Sequence, residues 1–446
     1  CNRGVILQLS HFPRHLFSCN ETKMNEQTKR FVRRKVREYY STAKIELPPD
    51  LGMRELGFVH FDQAYPAKLV MRRHKVFNTG VDLMTYLKEN APAHVYYSAA
   101  IYKYPGAANM AGKDWLGADL IFDLDADHVV DESELRKYSY EDLLVLVKKE
   151  TAKLIDFLLD DFGVPEHDIE LVFSGSRGYH IHITRQEVRR LGSRERREIV
   201  DYITARGLEL DNLLRDKAVD YGGEGFRRCH YCHKIMKSIV CPACGQDTTI
   251  LIKGGDLRIS TREGWGKRLL KGLIDFLHEI AKMEEEKSVK ELKTIRGVSE
   301  VRAKEIIRIA KNDAVIGRIE KGALNQIPGF PLSIWQEIVA KESVRLMKGE
   351  SDAPVTTDIK RLIRLPTSLH GKTSLIVKPL KLDSFWEFDP LEYAVVFGDS
   401  PVEIRMVHSA AITLKGERYK VEEDEIATLP EHVALYFICR GAAECI

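Results

Sequence analysis

The chain has 446 residues, enough for two or three domains, with 44% hydrophobic and 30% charged residues. This composition fits a globular protein with a real hydrophobic core. The formal net charge is only +2, which excludes a general electrostatic attraction to nucleic acid and leaves only a local basic patch for that purpose. No stretch approaches the roughly 20 apolar residues of a membrane span, so we expect no membrane partner.

The cysteines exclude a small secreted protein held together by disulfides. Four of the eight cysteines lie close together within residues 229–244, and we therefore expect a reducing, intracellular compartment. The first 23 residues show no clear periodicity, whereas Met24 opens a charged helical pattern. We predict that residues 1–23 are disordered or a non-native extension.

The following hundred residues predict a helix and then mixed strands and helices. Residues 25–45 form a basic helical pattern, whose cations fit either a solvated face or a contact with nucleic acid. Residues 54–75 predict strands, residues 80–90 a helix and residues 95–98 a further strand.

Acidic and apolar residues then alternate strictly. Phe122 and Leu124 fall on one face of an extended strand, and Asp123 and Asp125 fall on the other. Carboxylates two residues apart on a strand point the same way and repel each other unless a cation neutralises them. Mg²⁺ takes such carboxylates together with substrate phosphates as its ligands. The pattern predicts a divalent metal site at Asp123 and Asp125, and the alternative is a strand edge made polar by its acids.

A glycine turn between two strands follows an amphipathic helix predicted from about residue 140 to residue 161. Residues 170–183 predict strand, tight turn and strand. The two glycines of the turn permit positive φ and bring backbone N–H groups close to a ligand. With Ser174, Arg177 and His180, the turn suits an anion such as a triphosphate. The alternative is an ordinary hairpin with surface histidines.

Two Cys-x-x-Cys pairs, Cys229 with Cys232 and Cys241 with Cys244, are separated by eight residues. Four thiolates with this spacing suit tetrahedral Zn²⁺, and a four-thiolate site is structural because it leaves no position for substrate. Two disulfides are one alternative, and a histidine replacing one cysteine ligand is another.

The next region predicts helices. Residues 284–349 begin with a charge run and are predicted as a helical insertion. The sequence around Gly297 loosely resembles a helix-hairpin-helix turn, a motif that contacts DNA phosphates through backbone amides. An ordinary helix pair is the alternative.

A basic block near residues 355–373 is the second informative stretch. Asp358 lies among cations and histidines there, including Arg364 and His370. An acid among cations suits a metal–triphosphate site, because acids hold metal ions and cations hold phosphates. The rest of the chain predicts short strands without obvious chemistry.

Three of these motifs, in this order, resemble the catalytic small subunit of archaeal and eukaryotic DNA primases, in the archaeal form. They are the Asp-x-Asp strand at 122–125, the Ser-Gly-x-x-Gly-x-His turn at 174–180 and the Arg-Leu-x-Arg-Leu-Pro-x-Ser-Leu-His block at 361–370. Arg54 and Glu55, with Phe58, also resemble a motif near the start of that family. The glycine turn has Ser176 where many members have a second cation.

The resemblance implies a two-metal nucleotidyltransferase that makes short RNA or DNA primers on single-stranded DNA for replication. Asp123, Asp125 and Asp358 would bind two Mg²⁺ or Mn²⁺ ions. The incoming nucleotide would be bound by a set of polar side chains: Arg54, Ser174, Arg177, His180, Arg364 and His370. The implied partners are a primase large subunit in a heterodimer, the DNA template, and NTPs or dNTPs. The implied location is the cytoplasm, at the nucleoid.

The expected fold is α/β (α+β), with a mixed-sheet catalytic core, a zinc-ribbon insertion, a helical insertion and a small β-rich C-terminal piece. We assign residues 24–222, 251–283 and 350–380 to the core and 223–250 to the zinc module. Residues 284–349 form the helical insertion and 381–446 the C-terminal region.

Three other functions stay open. A primase-polymerase of the same superfamily, used in repair or end joining, has the same acids but needs an existing 3′ end. A metal-dependent phosphodiesterase would degrade single strands instead of incorporating nucleotides. A non-catalytic zinc-ribbon module for nucleic acid would leave the acids and the basic block without a purpose.

Overall fold

The computed structural model describes residues 24–63, 65–130, 132–135, 137–214, 227–229, 235–236, 240–245, 249–251, 259, 264–324 and 331–446. The predicted N-terminal extension, residues 1–23, lies outside the described residues, as does the predicted zinc ligand Cys232.

Helices are distributed along the whole described chain. In order they are α1 (Glu26–Thr42), α2 (Gly80–Asn90), α3 (Ala126–Val129), α4 (Glu132–Leu135), α5 (Tyr140–Asp156), α6 (Gln186–Arg189), α7 (Ser193–Ile203), α8 (Leu210–Leu213), α9 (Gly264–Lys282), α10 (Glu285–Leu292), α11 (Glu300–Ala310), α12 (Asp313–Ile319), α13 (Leu332–Ile338), α14 (Val344–Met347), α15 (Ala353–Thr357), α16 (Pro390–Tyr393) and α17 (Glu431–Cys439). A π-helical turn, Phe157–Asp161, continues α5, so the helix predicted over residues 140–161 is confirmed.

The strands are short. In order they are β1 (Leu56–Val59), β2 (Met71–Lys75), β3 (His94–Ser98), β4 (Ala100–Tyr102), β5 (Trp115–Ala118), β6 (Leu120–Asp125), β7 (Ile169–Phe173), β8 (Gly178–Ile183), β9 (Arg227–Cys229), β10 (Ile235–Met236), β11 (Thr249–Leu251), β12 (Leu362–Arg364), β13 (Lys378–Leu380), β14 (Pro401–Met406), β15 (Ala410–Leu414), β16 (Glu417–Val421), β17 (Ile426–Pro430) and β18 (Ala443–Cys445). The acidic strand predicted from the sequence is β6. The two strands predicted around the glycine turn are β7 and β8.

The chain forms two compact units. The first takes the described residues of Cys1–Ile155, Gly163–Asp201 and Glu350–Ile446, and the second those of Asp156–Phe162 and Tyr202–Gly349. Helix α9, which we predicted in the core, lies in the second unit with the predicted helical insertion. The predicted C-terminal region lies in the first unit with the core strands. The finer domain boundaries drawn from the sequence stay predictions.

Two four-stranded sheets organise the first unit. Their strand orders are β12-β3-β1-β2 and β13-β7-β8-β6. The α+β class is therefore confirmed. All pairings among the described strands are antiparallel, so the mixture of parallel and antiparallel neighbours that we expected is absent from them. The reason is visible in β7 and β8, which are joined by a tight turn and must run in opposite directions.

Strand β6 carries the pattern that the sequence predicts. Phe122 and Leu124 are fully buried, whereas Asp123 and Asp125 are partly exposed. In the pairing with β8, Asp123 lies opposite His180 and Asp125 lies opposite Gly178. A Cβ atom at position 178 would collide with the Leu124 carbonyl oxygen. Glycine at this position therefore lets the turn end close beside the two acids.

The C-terminal strands and α17 complete the first unit. Strand β14 pairs with β17 and β18, and β15 pairs with β16. Every residue of α17 is buried. Lys35 of α1 forms an ion pair with Glu431 at the start of α17, at 2.6 Å. The end of the chain therefore packs against its first helix.

The second unit is largely helical. Helix α9 buries one apolar face along its whole length, from Trp265 in its first turn through Leu273 to Ile280 in its last turn. Arg268 of α9 donates two hydrogen bonds to the Asp161 carboxylate. Helices α10 and α11 form the predicted helix pair, with Gly297 in the connection at a φ of 81°. A helix-hairpin-helix motif that contacts DNA and an ordinary helix pair both stay open. Across the described residues, no helix combines the length and the apolarity that crossing a membrane requires.

Candidate active site

A cavity of about 290 Å³ lies in the first unit beside β6 and β8. Its lining combines two acids, cations, histidines, two serines and one leucine. The lining residues are Leu69, His94, Asp123, Asp125, Ser174, Ser176, Arg177, His180, Arg364, His370, Lys372 and Arg440. The structure thus brings together residues from the three sequence motifs, although the motifs lie about 50 and 190 residues apart. It also adds residues from β3 and from the C-terminal region.

The two acids of β6 are held in an environment that disfavours their charge. Burial, followed by the charge of Asp352, raises the pKa of Asp123 to about 6. Burial, followed by Asp123 and Asp127, also raises the pKa of Asp125, although Arg177 opposes the shift. Buried carboxylates that repel one another can ionise fully when a cation binds between them. The electrostatics therefore favour a metal site here.

Asp352 is a third acid, which the structure places beside Asp123. Its backbone N–H donates to the Asp123 carbonyl oxygen at 2.9 Å, and its carboxylate lies 3.3 Å from His128 Nε2. Its charge also contributes to the raised pKa of Asp123. The sequence analysis did not select this residue, because it lies three residues before the basic block of 355–373.

The structure does not bring Asp358 to the other acids. Asp352 and Asp358 cap opposite ends of α15, about 9 Å apart along the helix axis. The Asp358 carboxylate accepts the backbone N–H of Lys360 at 2.9 Å. The pKa of Arg73 is raised mainly by Glu55 and that of Tyr102 mainly by burial, with a smaller effect of Asp358 on each; neither residue lines the cavity. The structure therefore places Asp352 beside Asp123, and Asp358 away from the cavity; the metal-binding role of Asp358 stays a prediction.

The glycine turn supplies polar atoms without partners. Ser174 Oγ is buried and has no hydrogen-bond partner in the described part of the chain. Gly175 has a φ of 80°, and a Cβ there would lie 2.7 Å from His370 Cβ. Glycine thus lets the turn approach the basic block closely. Arg177 lies at the rim, where its Nη2 donates to Asp127 at 2.7 Å and its Nε is 3.6 Å from Asp125.

His180 lies between the acids and the cations. Its Nε2 is 3.5 Å from Asp123 Oδ1, and its Nδ1 has no hydrogen-bond partner among the residues described. Burial, followed by Arg364 and Arg361, lowers the pKa of His180 to about 3. The ring is therefore neutral at pH 7 and can offer one donor and one acceptor.

The basic block contributes Arg364 and His370 from the opposite side. Thr373 Oγ1 donates to the Gly175 carbonyl at 2.5 Å and lies 3.1 Å from His370 Nδ1. Since the hydroxyl proton points to Gly175, Nδ1–H of His370 is assigned as the donor to Thr373. This bond fixes the His370 ring against the glycine turn.

Arg54 is not brought to the cavity. It is fully buried, and its Nη2 donates to Asp119 at 2.6 Å. Its other donors are used by the carbonyl oxygens of Pro49, Ser98 and Ala99. The fully buried guanidinium thus donates four hydrogen bonds inside the core, where it joins β3 to the start of β6. The nucleotide contact of Arg54 stays a prediction.

Four polar residues of the lining were not in the predicted set, namely Ser176 of the glycine turn and three residues with nitrogen-bearing side chains. Lys372 lies in the basic block, where its position two residues after His370 is a signal that was available. His94 begins β3, and Arg440 follows α17. A single histidine in a strand and a single arginine after an apolar helix carry no signal of function in the sequence.

The cysteines of the second unit form a cluster. The sulfur atoms of Cys229, Cys241 and Cys244 all lie within 4.8 Å of one another, and those of Cys229 and Cys244 are 3.4 Å apart. This is a possible three-cysteine metal site. The fourth predicted ligand, Cys232, is outside the described residues.

Comparison with known proteins gives a consistent family. The family model for the DNA primase small subunit matches residues 122–382. The chain is 42% identical over 423 residues to the DNA primase small subunit PriS of Methanococcoides burtonii, covering 94% of this chain and 99% of that relative. It is 42% identical over 432 residues to PriS of Methanosarcina barkeri, covering 94% and 97%. It is 40% identical over 428 residues to PriS of Methanocella arvoryzae, covering 94% and 99%. The chain therefore belongs to the DNA primase small subunit family and is the catalytic, nucleotidyltransferase subunit of a DNA primase.

Proposed function

We propose that the cavity is the site at which this subunit joins nucleotides into short RNA or DNA primers on single-stranded DNA. The observation that carries the proposal is the meeting of the Asp123 and Asp125 carboxylates with cations in one cavity, with Asp352 hydrogen-bonded to the backbone of Asp123. Acids to hold metal ions and cations to hold phosphates are the two requirements of metal-dependent nucleotidyl transfer.

Asp123, Asp125 and Asp352 fit two Mg²⁺ or Mn²⁺ ions. All three are oxygen ligands, and the burial and the neighbouring acids that raise the pKa of Asp123 and Asp125 disfavour their charge, which a bound cation would offset. When bound, such ions lower the pKa of an attacking 3′-hydroxyl and stabilise the leaving pyrophosphate. The protein keeps the three acids in position through the β6–β8 pairing and the backbone bond from Asp352 to Asp123.

The remaining side chains of the lining fit the triphosphate of the incoming nucleotide. Ser174, Arg177, His180, Arg364 and His370 stay in the predicted set, and Lys372 and Arg440 join it. The unpartnered Ser174 Oγ and His180 Nδ1 are buried polar atoms, which cost free energy unless a ligand pairs with them. Ser176 takes the position of a second cation and supplies a hydroxyl instead.

The cysteine cluster fits a structural Zn²⁺ held by Cys229, Cys232, Cys241 and Cys244. Thiolate sulfurs gathered within 4.8 Å are the donor set that zinc prefers. We assign this site no part in the chemistry, because four thiolates leave no open position for substrate.

The partners that we propose follow from the family. The relatives carry the name small subunit, which supports a heterodimer with a primase large subunit. Single-stranded DNA would be the template and NTPs or dNTPs the substrates. We place the protein in the cytoplasm, at the nucleoid, where its template lies.

The test is a primer synthesis assay without added primer. The purified chain would be incubated with single-stranded DNA, Mg²⁺ or Mn²⁺, and labelled NTPs or dNTPs, alone and with the large subunit. We expect new short oligomers, and none from Asp123→Asn or Asp125→Asn. Extension only of a supplied primer, even with the large subunit, would favour a repair polymerase. Shortened template without synthesis would favour a phosphodiesterase.

A further inference from the structure

His94 is a buried histidine of the cavity lining that the proposed function has not used. It begins β3 and is completely buried, yet it borders the same cavity as Asp123 and Arg364. Its ring meets the His370 ring edge to face, with 5.0 Å between the ring centroids. His94 therefore lies in the part of the cavity that carries the phosphate-binding cations.

The hydrogen bonds of His94 determine which ring nitrogen carries the proton. Arg364 Nη1 donates to Nδ1 at 2.8 Å, and the Gly371 backbone N–H points to the same atom at 3.3 Å. A guanidinium and a backbone N–H can only donate, so Nδ1 must be the acceptor. The proton of the neutral ring is then on Nε2.

The Nε2 atom of His94 is a buried donor without a partner in the described part of the chain. Burial, followed by the cations Arg364 and Lys372, keeps the pKa of His94 well below its usual value, so the ring is neutral near pH 7. A buried N–H group without a hydrogen-bond partner destabilises the folded protein. In a cavity edged by cations, the acceptor that relieves this cost is an anionic oxygen.

We propose that His94 is a further nucleotide-contacting residue, whose Nε2–H donates to a phosphate oxygen of the incoming nucleoside triphosphate while its Nδ1 holds Arg364 in place. The proposal rests on the proposed function of the cavity. The His94 ring thereby has two roles. Its Nε2 binds the phosphate directly, and its Nδ1 orients the Arg364 guanidinium, which is itself expected to bind the phosphates.

Two substitutions separate the two roles of the ring. Asn places its amide near the position of Nδ1, so His94→Asn can keep an acceptor for Arg364 but loses the donor at Nε2. Gln reaches the position of Nε2, so His94→Gln keeps that donor and loses the acceptor. We expect His94→Asn to raise the nucleotide KM roughly tenfold with little change in kcat, since one hydrogen bond to a charged group is worth about 1.5 kcal/mol or more. His94→Gln should raise it less.

Binding of inorganic tripolyphosphate to each variant, measured by calorimetry without template, tests the phosphate contact independently of primer synthesis. A parallel loss of tripolyphosphate and NTP affinity in His94→Asn would support the proposal. The proposal would be overturned if His94→Asn bound tripolyphosphate as tightly as the wild type. It would also be overturned if His94→Gln lost more affinity for tripolyphosphate than His94→Asn, because His94 would then act only by orienting Arg364. If the wild type bound tripolyphosphate through His94 but made no primer, the proposed function would fail and this contact would stand.

NMR of the wild-type protein labelled with ¹⁵N-histidine keeps the test decisive if a variant fails to fold. We expect the His94 signals to show a protonated Nε2 and an unprotonated Nδ1 between pH 6 and 8. Addition of tripolyphosphate should shift the Nε2 resonance. A proton on Nδ1, or an Nε2 resonance that does not move at saturation, would refute the proposal.

Discussion

Replacing Asp123 by Asn should stabilise the metal-free protein while removing its response to metal. Burial and the neighbouring Asp352 raise the pKa of Asp123 from 3.8 to about 6. A rise of roughly two units corresponds to about 3 kcal/mol. Because the folded protein binds this proton more tightly than the unfolded chain, stability is lost as the pH rises from about 4 through about 6. Asn cannot ionise, so D123N avoids that loss.

Urea denaturation in EDTA and in Mn²⁺ measures both effects. In EDTA at pH 7.5, we expect D123N to raise the free energy of unfolding by up to about 3 kcal/mol, and at pH 4 to change it little. Mn²⁺ should stabilise the wild type, because it binds the folded state, and should stabilise D123N far less. D358N is the matched control and should keep the wild-type response to Mn²⁺. The reasoning is refuted if D123N is destabilised in EDTA at pH 7.5, or if it keeps the full stabilisation by Mn²⁺.

Three further changes test other parts of the structure. D352N should lower the rate of primer synthesis by about 10² to 10³ through loss of a metal ligand, whereas D358N should stay within about threefold; equal losses would contradict the assignment. Burial and nearby acids raise the pKa of Glu170 to about 7, so its ionisation costs stability as the pH rises from about 4.5 to 7. E170Q should therefore raise the free energy of unfolding at pH 8.5 by up to about 3 kcal/mol and leave it unchanged at pH 4, and an equal gain at both pH values would contradict this cause. C244S should lower the zinc content measured by mass spectrometry, whereas C445S, outside the cluster, should not; unchanged zinc in C244S would remove the ligand assignment.

Local sequence patterns predicted the elements that carry the site. The alternation in β6 has a period of two, so it predicts correctly that Asp123 and Asp125 share a face. The glycine turn between β7 and β8 is equally local, because the close approaches at Gly175 and Gly178 require residues without a Cβ atom. Both features depend on neighbours within a few residues along the chain.

Local sequence patterns did not reveal which residues the fold places beside the cavity, because that depends on contacts between distant parts of the chain. Asp352 and Asp358 lie at the two ends of α15, and only the position of α15 against β6 places the first beside Asp123. Arg54 is fully buried and donates its hydrogen bonds inside the core, which a linear pattern does not reveal. His94 enters the cavity because β3 pairs with β12, two strands that are more than 260 residues apart.

The central claim is that Asp123, Asp125 and Asp352 together hold two divalent ions in the cavity. Anomalous X-ray diffraction from crystals of the protein with Mn²⁺ and a non-hydrolysable nucleoside triphosphate tests this most directly. We predict two Mn²⁺ peaks about 3.5–4 Å apart, bound by these three carboxylates and by the triphosphate. A peak at Asp358, or a fully bound nucleotide without Mn²⁺ between these three acids, would contradict the account.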